Sequence, residues 1–144
     1  EMWDEILSSG KLIYGVASDD AHHFTEEFSS TRSNPGRGWV FVNSDSLSVP
    51  DIIKAMKKGD FYSSTGIELE TLDISKEKIY LKVKERPPKE KQKYTFRVIN
   101  DSGLVFHESE GDELRISTHG MKKYCRVVIR SSEGTNAWLQ PFFL

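Results

Sequence analysis

Two carboxylates and two imidazoles fall within five consecutive positions near the start of the chain, at Asp19, Asp20, His22 and His23. They follow an apolar run over residues 12–17, which predicts a short buried strand. In α/β folds, catalytic and ligand-binding groups collect at the carboxyl ends of such strands. The sequence therefore puts its strongest candidate for chemistry at the end of the first predicted strand.

Asp20 and His22 are separated by one residue, and side chains two positions apart point to the same side of an extended backbone. One carboxylate and one imidazole can then converge on a cation, and this donor pair suits Zn, Mn or Fe. Two ligands do not complete a catalytic zinc site, which takes about three from the protein. Acids at a strand end also cap turns, and Asp19 fits that simpler role. The local pattern predicts half of a metal site.

A polar loop over residues 25–38, rich in serine, glycine and proline, follows the acidic cluster. Its cations are Arg32 and Arg37, and Arg37 lies between two glycines that permit close approach of the backbone. An arginine in that position can bind a phosphate through two parallel hydrogen bonds. The simpler alternative is a solvated loop arginine. Arg37 is our candidate for contact with a substrate phosphate.

The other residues with reactive side chains are predicted to have ordinary roles. His107 and His119 have no ligand partner at metal spacing, so we expect both at the surface. Cys125 is the single cysteine; it excludes an internal disulfide, fits a reducing compartment, and is predicted to be a small core residue. Trp138 is predicted to be a core or inter-domain anchor.

Composition indicates a soluble globular protein. The chain has 144 residues, of which 37% are hydrophobic and 29% charged, with a net charge of −2. No apolar run approaches the roughly 20 residues that span a membrane. No part of the chain has the strongly basic character of a nucleic-acid binder. We expect a cytoplasmic protein that binds neither membranes nor nucleic acids.

The first half of the chain has the element order of a covered α/β sheet. A helix is predicted over residues 1–9, and Gly10 ends it. Strands are predicted over residues 12–17, 39–42 and 61–66. A second helix begins after Ser48, with Pro50 and Asp51 in its first turn, and ends at Gly59.

The second half shows no helical period and has short alternating runs instead. The predicted strands cover residues 67–74, 79–84, 94–99, 104–107, 114–117, 124–130 and 137–144. Hairpin-type turns are predicted at residues 100–103 and 110–112, and an exposed connection at residues 86–93. Seven strands at this spacing predict an antiparallel β-sandwich.

Residues 15–24, Gly-Val-Ala-Ser-Asp-Asp-Ala-His-His-Phe, resemble the last metal-binding motif of the PHP (polymerase and histidinol phosphatase) family. The resemblance continues through residues 35–40 and residues 55–66. It ends at residues 137–141, Ala-Trp-Leu-Gln-Pro, which resemble the close of the β-sandwich that follows the barrel in some bacterial members.

The resemblance implies a distorted (β/α)7 barrel that binds divalent metals and hydrolyses phosphate esters. The family's Asp-x-His motif matches Asp20 and His22, which are metal ligands by resemblance. Asp19 and His23 flank that motif and would orient the ligands. The implied ions are Mn, Zn or Fe, which would activate a water and neutralise the phosphoryl oxygens.

The chain lacks the family's first motif, His-x-His, and its first histidine is His22. The resemblance therefore implies an α+β protein that is the C-terminal piece of a longer phosphoesterase. Residues 1–66 would be the last part of a barrel, and residues 67–144 an immunoglobulin-like accessory sandwich. The missing N-terminal barrel half would be its partner, with a homodimer through the open edge as another possibility. Alone, the chain should bind metal weakly or not at all and be inactive.

A non-catalytic reading stays open beside the enzymatic one. The sandwich would then be a binding or assembly module attached to a degenerate PHP-like scaffold. A purely structural remnant has no physical need for the pair of Asp20 and His22, and this pair therefore separates the two hypotheses in part.

Overall fold

Antiparallel strands dominate the computed structural model, which describes residues 2–85 and 92–144. Within these ranges the chain forms two α-helices, α1 (Met2–Ser8) and α2 (Val49–Lys58). The strands of the described ranges are β1 (Trp39–Val42), β2 (Phe61–Ser64), β3 (Leu69–Ile74), β4 (Lys78–Val83), β5 (Tyr94–Ile99), β6 (Val105–Glu110), β7 (Glu113–Ser117), β8 (Tyr124–Ser131), β9 (Asn136–Leu139) and β10 (Phe142–Phe143). The protein is thus a mixed, mostly β fold. Of the connection predicted at residues 86–93, residues 86–91 lie outside the described part.

The strands form two sheets that share one apolar core. The larger sheet has the order β1-β2-β9-β8-β5-β6, with β10 paired to β8, and the smaller has the order β3-β4-β7. Every pairing recorded between the strands is antiparallel. The core contains Ile79, Leu81 and Val83 of β4 and Val127 and Ile129 of β8, all almost fully buried. The alternation of apolar and polar residues therefore predicted these two strands and their inward faces correctly.

β1 and β2 precede residue 66, the predicted boundary, yet they belong to the larger sheet. Ser63 of β2 pairs with Trp138 of β9, and Val40 of β1 pairs with Ser63. Hydrogen-bonded pairing of this kind makes strands from both parts of the chain neighbours in one sheet. The sequence pattern identified the strands but contained no sign of this partnership.

The outer face of the larger sheet is covered by the first residues of the chain. Leu7 of α1 is fully buried, and Asp4 is 3% exposed. The Asp4 carboxylate accepts hydrogen bonds from Arg126 Nε at 2.8 Å, Arg126 Nη2 at 2.7 Å and Tyr124 Oη at 2.8 Å. The ring of Trp3 lies 4.9 Å from the Arg126 guanidinium carbon, a cation–π contact. A buried ion pair therefore fixes α1 to β8.

The ends of α2 follow the sequence prediction. The Ser48 side chain accepts the N–H of Asp51 at the N-terminus. Gly59 ends the helix in the left-handed conformation, with φ 81°. Ala55 is buried, whereas the Ile53 side chain is 47% exposed. The residues at the two ends therefore predicted this helix correctly.

Two predictions about local structure are wrong. Residues 12–17 form no strand, and Leu12 and Val16 are 54% and 64% exposed rather than buried. The backbone of this segment bonds to side chains, as at Gly15 with Gln140, so no strand ladder forms. The turn at residues 110–112 is also not a hairpin, because β6 pairs with β5 and β7 pairs with β4, in different sheets.

Gly59→Ala is expected to destabilise the protein by more than the roughly 1–2 kcal/mol of left-handed backbone strain. A Cβ at Gly59 would lie 2.5 Å from Tyr14 Cε1, so the Tyr14 ring must move away from α2. Gly10→Ala is the matched control, since Gly10 has φ 85° after α1 and no atom within 4 Å of the added Cβ. Thermal unfolding of both variants measures the contact, and equal losses would contradict it.

Candidate functional site

The segment before the acidic cluster is held on the larger sheet by two side chains. Gln140 accepts the Gly15 N–H at 2.9 Å and donates to the Gly15 carbonyl at 2.8 Å. Ser63 Oγ donates to that same carbonyl at 3.0 Å and accepts the Ala17 N–H at 3.0 Å. These bonds fix the backbone up to Ala17, and the chemistry-bearing residues begin two positions later.

Asp19 anchors the polar loop. Its Oδ1 accepts the backbone N–H groups of Arg37 at 2.5 Å and Gly38 at 2.6 Å, and its Oδ2 accepts that of Gly36 at 2.9 Å. The hydrogen bonds from Gly38 and Gly36 lead the causes that lower the pKa of Asp19 below its usual 3.8. Both oxygens are thus engaged by backbone, the capping role that acids at a strand end commonly take.

Asp20 and His22 lie close together at the surface. Asp20 Oδ1 is 4.0 Å from His22 Nε2, and the two side chains are 91% and 65% exposed. Metal bonds of about 2.0 Å to oxygen and about 2.1 Å to nitrogen span 4.0 Å only when the two bonds are nearly in line, so a tetrahedral ion needs the two atoms about 0.6 Å closer. The backbone of Asp20 is left-handed, with φ 50°, so an extended strand is not what brings the two groups together. This left-handed residue does so, in a segment without regular secondary structure.

These two residues fit part of a metal site but not all of one. No group of three or more His, Cys, Asp or Glu side chains arranged to hold a metal ion occurs among the described residues. Carboxylate and imidazole are suitable donors for Zn, Mn or Fe. The chain therefore offers a pair of donors that is open to solvent.

His23 is part of the loop that follows. The N–H groups of His22 and His23 both donate to the Ser33 carbonyl, at 2.9 and 3.1 Å. His23 Nδ1 is buried and has no hydrogen-bond partner within the part of the chain that the structure describes. The buried Asn34 closes the same loop, since its amide donates to the His23 carbonyl at 2.9 Å and accepts the Ser29 N–H at 3.1 Å. Sequence reasoning missed Asn34 because a loop asparagine carries no signal of burial.

Both loop arginines are exposed. Arg37 Nη1 lies 3.5 Å from the Arg32 carbonyl, and Arg32 Nη1 donates to the Glu27 carbonyl at 3.2 Å. The Asp19 bonds hold the backbone of Arg37, while its guanidinium group reaches solvent. The loop thus presents a cation whose backbone is held by Asp19, the residue directly before the donor pair.

Apolar side chains are widely exposed around this part of the chain. Within residues 12–53, the apolar side chains that are more than 40% exposed are Leu12, Ile13, Val16, Phe24, Phe28, Leu47, Val49 and Ile53. Exposed apolar side chains mark an interaction site where they form one patch. Val16 and Phe24 are the two of this set that lie nearest in sequence to the donor pair.

The residues predicted to have ordinary roles lie as follows. His119 is exposed and His107 half-buried, on β6. Cys125 is 1% exposed in the core, and burial raises the pKa of its thiol to about 11. Trp138 is half-buried on the outer face of the larger sheet. Cys125 is thus the small core residue that the sequence predicted.

Comparisons of this chain with family models, with curated proteins and with solved structures found no match. The PHP resemblance therefore depends on the sequence motifs alone. Among the described residues, no helix has both the length and the apolar character needed to cross a membrane.

Proposed function

We propose that this chain is the C-terminal part of a PHP-type metal-dependent phosphoesterase, to which it contributes Asp20 and His22 as metal ligands. The supporting observation is the 4.0 Å separation of Asp20 Oδ1 and His22 Nε2, both on exposed side chains. A small rotation of either exposed side chain brings the carboxylate and the imidazole to the spacing that a shared metal requires.

In this proposal each residue near the pair has a defined task. Asp20 and His22 hold a Zn, Mn or Fe ion, which when bound lowers the pKa of a water and neutralises phosphoryl oxygens. Asp19 fixes the backbone of residues 36–38 and so sets where the loop ends. Arg37 reaches from that loop to a phosphate oxygen of the ester substrate. His23, which flanks the pair in sequence, orients it.

The remaining ligands come from an N-terminal barrel half. The exposed apolar side chains between Leu12 and Ile53 are the surface on which that half packs. Residues 1–66 are then the end of the barrel and residues 67–144 an immunoglobulin-like accessory sandwich, and β1 and β2 from the first part extend the sandwich's larger sheet. A second copy of the chain is the other candidate for covering the apolar surface, as a homodimer.

The lack of a third donor among the described residues favours a second candidate function. In that alternative the chain is a non-catalytic binding or assembly module that keeps the PHP scaffold without its activity. The two candidates differ in one property that can be measured on this chain: affinity of the Asp20 and His22 pair for a divalent ion.

Calorimetric titration of the chain with Zn²⁺ or Mn²⁺ is expected to show weak binding at one site, because two protein ligands leave most of the coordination sphere to water. Asp20→Ala and His22→Ala should each abolish that binding. His22→Ala should leave the unfolding temperature unchanged because the side chain is largely exposed, and Asp20→Ala should lower it slightly because alanine is less stable than aspartate at a φ of 50°. The chain should not hydrolyse a phosphate monoester with either metal.

His119→Ala and Asp45→Ala are the matched controls, because both remove an exposed side chain of the same type elsewhere. Both are expected to keep the weak binding. Binding that survives Asp20→Ala and His22→Ala would refute the ligand assignment. Tight stoichiometric binding that these two changes abolish would show that this chain supplies further ligands itself.

A further inference from the structure

The inward face of β3 is partly uncovered. Leu72 pairs with Leu81 of β4, and directly paired residues point to the same side of a sheet. Leu81 is fully buried in the core, yet Leu72 is 48% exposed. A side chain that points toward the interior while half exposed lies beside a gap in that interior.

The two sheets differ in width, and the gap lies where the smaller one stops. The smaller sheet ends at β3, whereas the larger sheet continues through β2 to β1. A groove of about 640 Å³ separates β3 from β1 and β2. Its walls combine polar residues with apolar and aromatic ones, the latter including Phe41, Phe61, Tyr62, Leu72, Ile74 and Phe142.

β3 also has backbone hydrogen-bonding groups along this groove that have no partner among residues 2–85 and 92–144. Ser75 donates its N–H to the Lys78 carbonyl, and backbone groups alternate in direction along an antiparallel strand. Asp73, which pairs with Tyr80, and Thr71 therefore also direct their backbone groups toward β4. The N–H groups of Leu72 and Ile74 then point away from β4. At the start of the strand, Tyr62 Oη accepts the Leu69 N–H at 2.9 Å. A side chain therefore satisfies the first outward donor, and the next two face the groove.

The charges around the groove are mostly negative. Asp60, Glu68, Glu70 and Asp73 contribute to its lining, against Lys58 as the lining cation. Lys84, Lys82 and Lys78 of the β4 side pair with the last three of these carboxylates, at 2.6, 3.0 and 2.7 Å. These ion pairs are largely exposed, and such pairs are weak enough to exchange for a cation on an added strand.

We propose that this groove binds an extended polypeptide segment, which adds to the free edge of β3 as a fourth strand of the smaller sheet. The segment has apolar residues at alternate positions, which enter the groove opposite Phe41 and Tyr62. It has lysine or arginine between them, on the side where the carboxylates of β3 lie. Strand addition to a sheet edge obtains affinity from backbone hydrogen bonds and specificity from such alternating side chains.

The test uses an acetylated and amidated heptapeptide that alternates lysine and valine, titrated into the whole chain and followed by NMR hydrogen exchange. Binding is expected to slow exchange at the amides of Leu72 and Ile74 at least about tenfold, since they gain partners. The amides of Thr71 and Asp73, already bonded to β4, should change less. A peptide with glutamate in place of lysine, and one with the same residues in two blocks, should bind at least about tenfold more weakly.

Leu72→Pro removes one outward N–H, and an edge strand tolerates proline at such a position. Leu72→Pro is expected to weaken binding at least about tenfold. Arg115→Pro is the matched control, because the Arg115 N–H also points away from β4 on the other edge strand, β7, and it should leave binding unchanged. If Leu72→Pro fails to fold, Leu72→Ser keeps the N–H and should weaken binding through lost apolar contact.

Three results would overturn the proposal. One is no binding at about 1 mM peptide, and another is equal binding of the glutamate peptide. The third is binding without protection at Leu72 and Ile74, which would mean that the groove takes apolar groups in some way other than strand addition.

Discussion

Asp4→Ala is expected to lower the free energy of unfolding by about 3–5 kcal/mol, because it leaves a buried arginine without its counter-charge. The side chains of Asp4 and Arg126 are 4% and 2% exposed. Three hydrogen bonds to the Asp4 carboxylate disappear with it, two from Arg126 and one from Tyr124. Urea unfolding followed by circular dichroism measures the loss, and a loss below about 1 kcal/mol would contradict this account.

Two further variants separate the buried charge from the packing of the helix. Glu5→Ala removes an exposed carboxylate from the same helix and should change stability by less than about 0.5 kcal/mol. Asp4→Leu combined with Arg126→Leu replaces both charges by apolar groups and should recover a large part of the loss. If the double variant is less stable than Asp4→Ala, the deficit comes from packing and not from an unpaired charge.

The same pair gives the stability a defined dependence on pH. Burial raises the pKa of Asp4, but the hydrogen bonds from Arg126 and Tyr124 outweigh it and lower the pKa below 3.8. A carboxyl with a lowered folded-state pKa stabilises the fold above its unfolded-state pKa. Its contribution is therefore complete above about pH 4 and disappears as the pH falls through the folded-state value.

Phe96→Ala is expected to destabilise the protein by about 3–5 kcal/mol through the cavity it leaves in the core. Phe96 is fully buried on β5, between its neighbours Ile129 of β8 and Ser109 of β6. The core it occupies joins the two sheets, so the loss should appear in a single cooperative transition. Calorimetric unfolding measures both the loss and the cooperativity.

Phe106→Ala is the control, because Phe106 is 44% exposed on the adjacent edge strand β6. Its expected loss is under about 1 kcal/mol. Similar losses for the two phenylalanines would place Phe96 outside the common core, and two separate transitions for Phe96→Ala would mean that the sheets unfold independently.

The sequence predicted correctly the helix ends, strands and turns that depend on residues close to one another in the chain. Ser48, Pro50 and Gly59 fixed the ends of α2, and alternation identified β4 and β8 with their buried faces. The turn predicted at residues 100–103 joins β5 to β6, with Ser102 at φ 61° inside it. In each case the interacting residues are close in sequence, so their types alone carry the information.

What depends on distant partners was not predictable from the residue pattern. The run over residues 12–17 has the composition of a buried strand, but its backbone is bonded by Ser63 and Gln140 from elsewhere in the chain. Nothing close to Asp4 in sequence indicates that it is buried, because the arginine that neutralises it is on β8. At the candidate site, the types of Asp20 and His22 suggested the pair, while the left-handed backbone of Asp20 appeared only in the structure.

The position of β2 has a consequence for how the protein is made. Apart from the adjacent β1, its neighbour in the sheet is β9, which follows β3 to β8 in the sequence. During synthesis β2 therefore waits, with an unsatisfied edge, until β3 to β8 and then β9 have been translated. Pairings between residues so distant in sequence form slowly, because a long loop must close first. The nascent chain should consequently depend on chaperones during the interval between the emergence of β2 and that of β9.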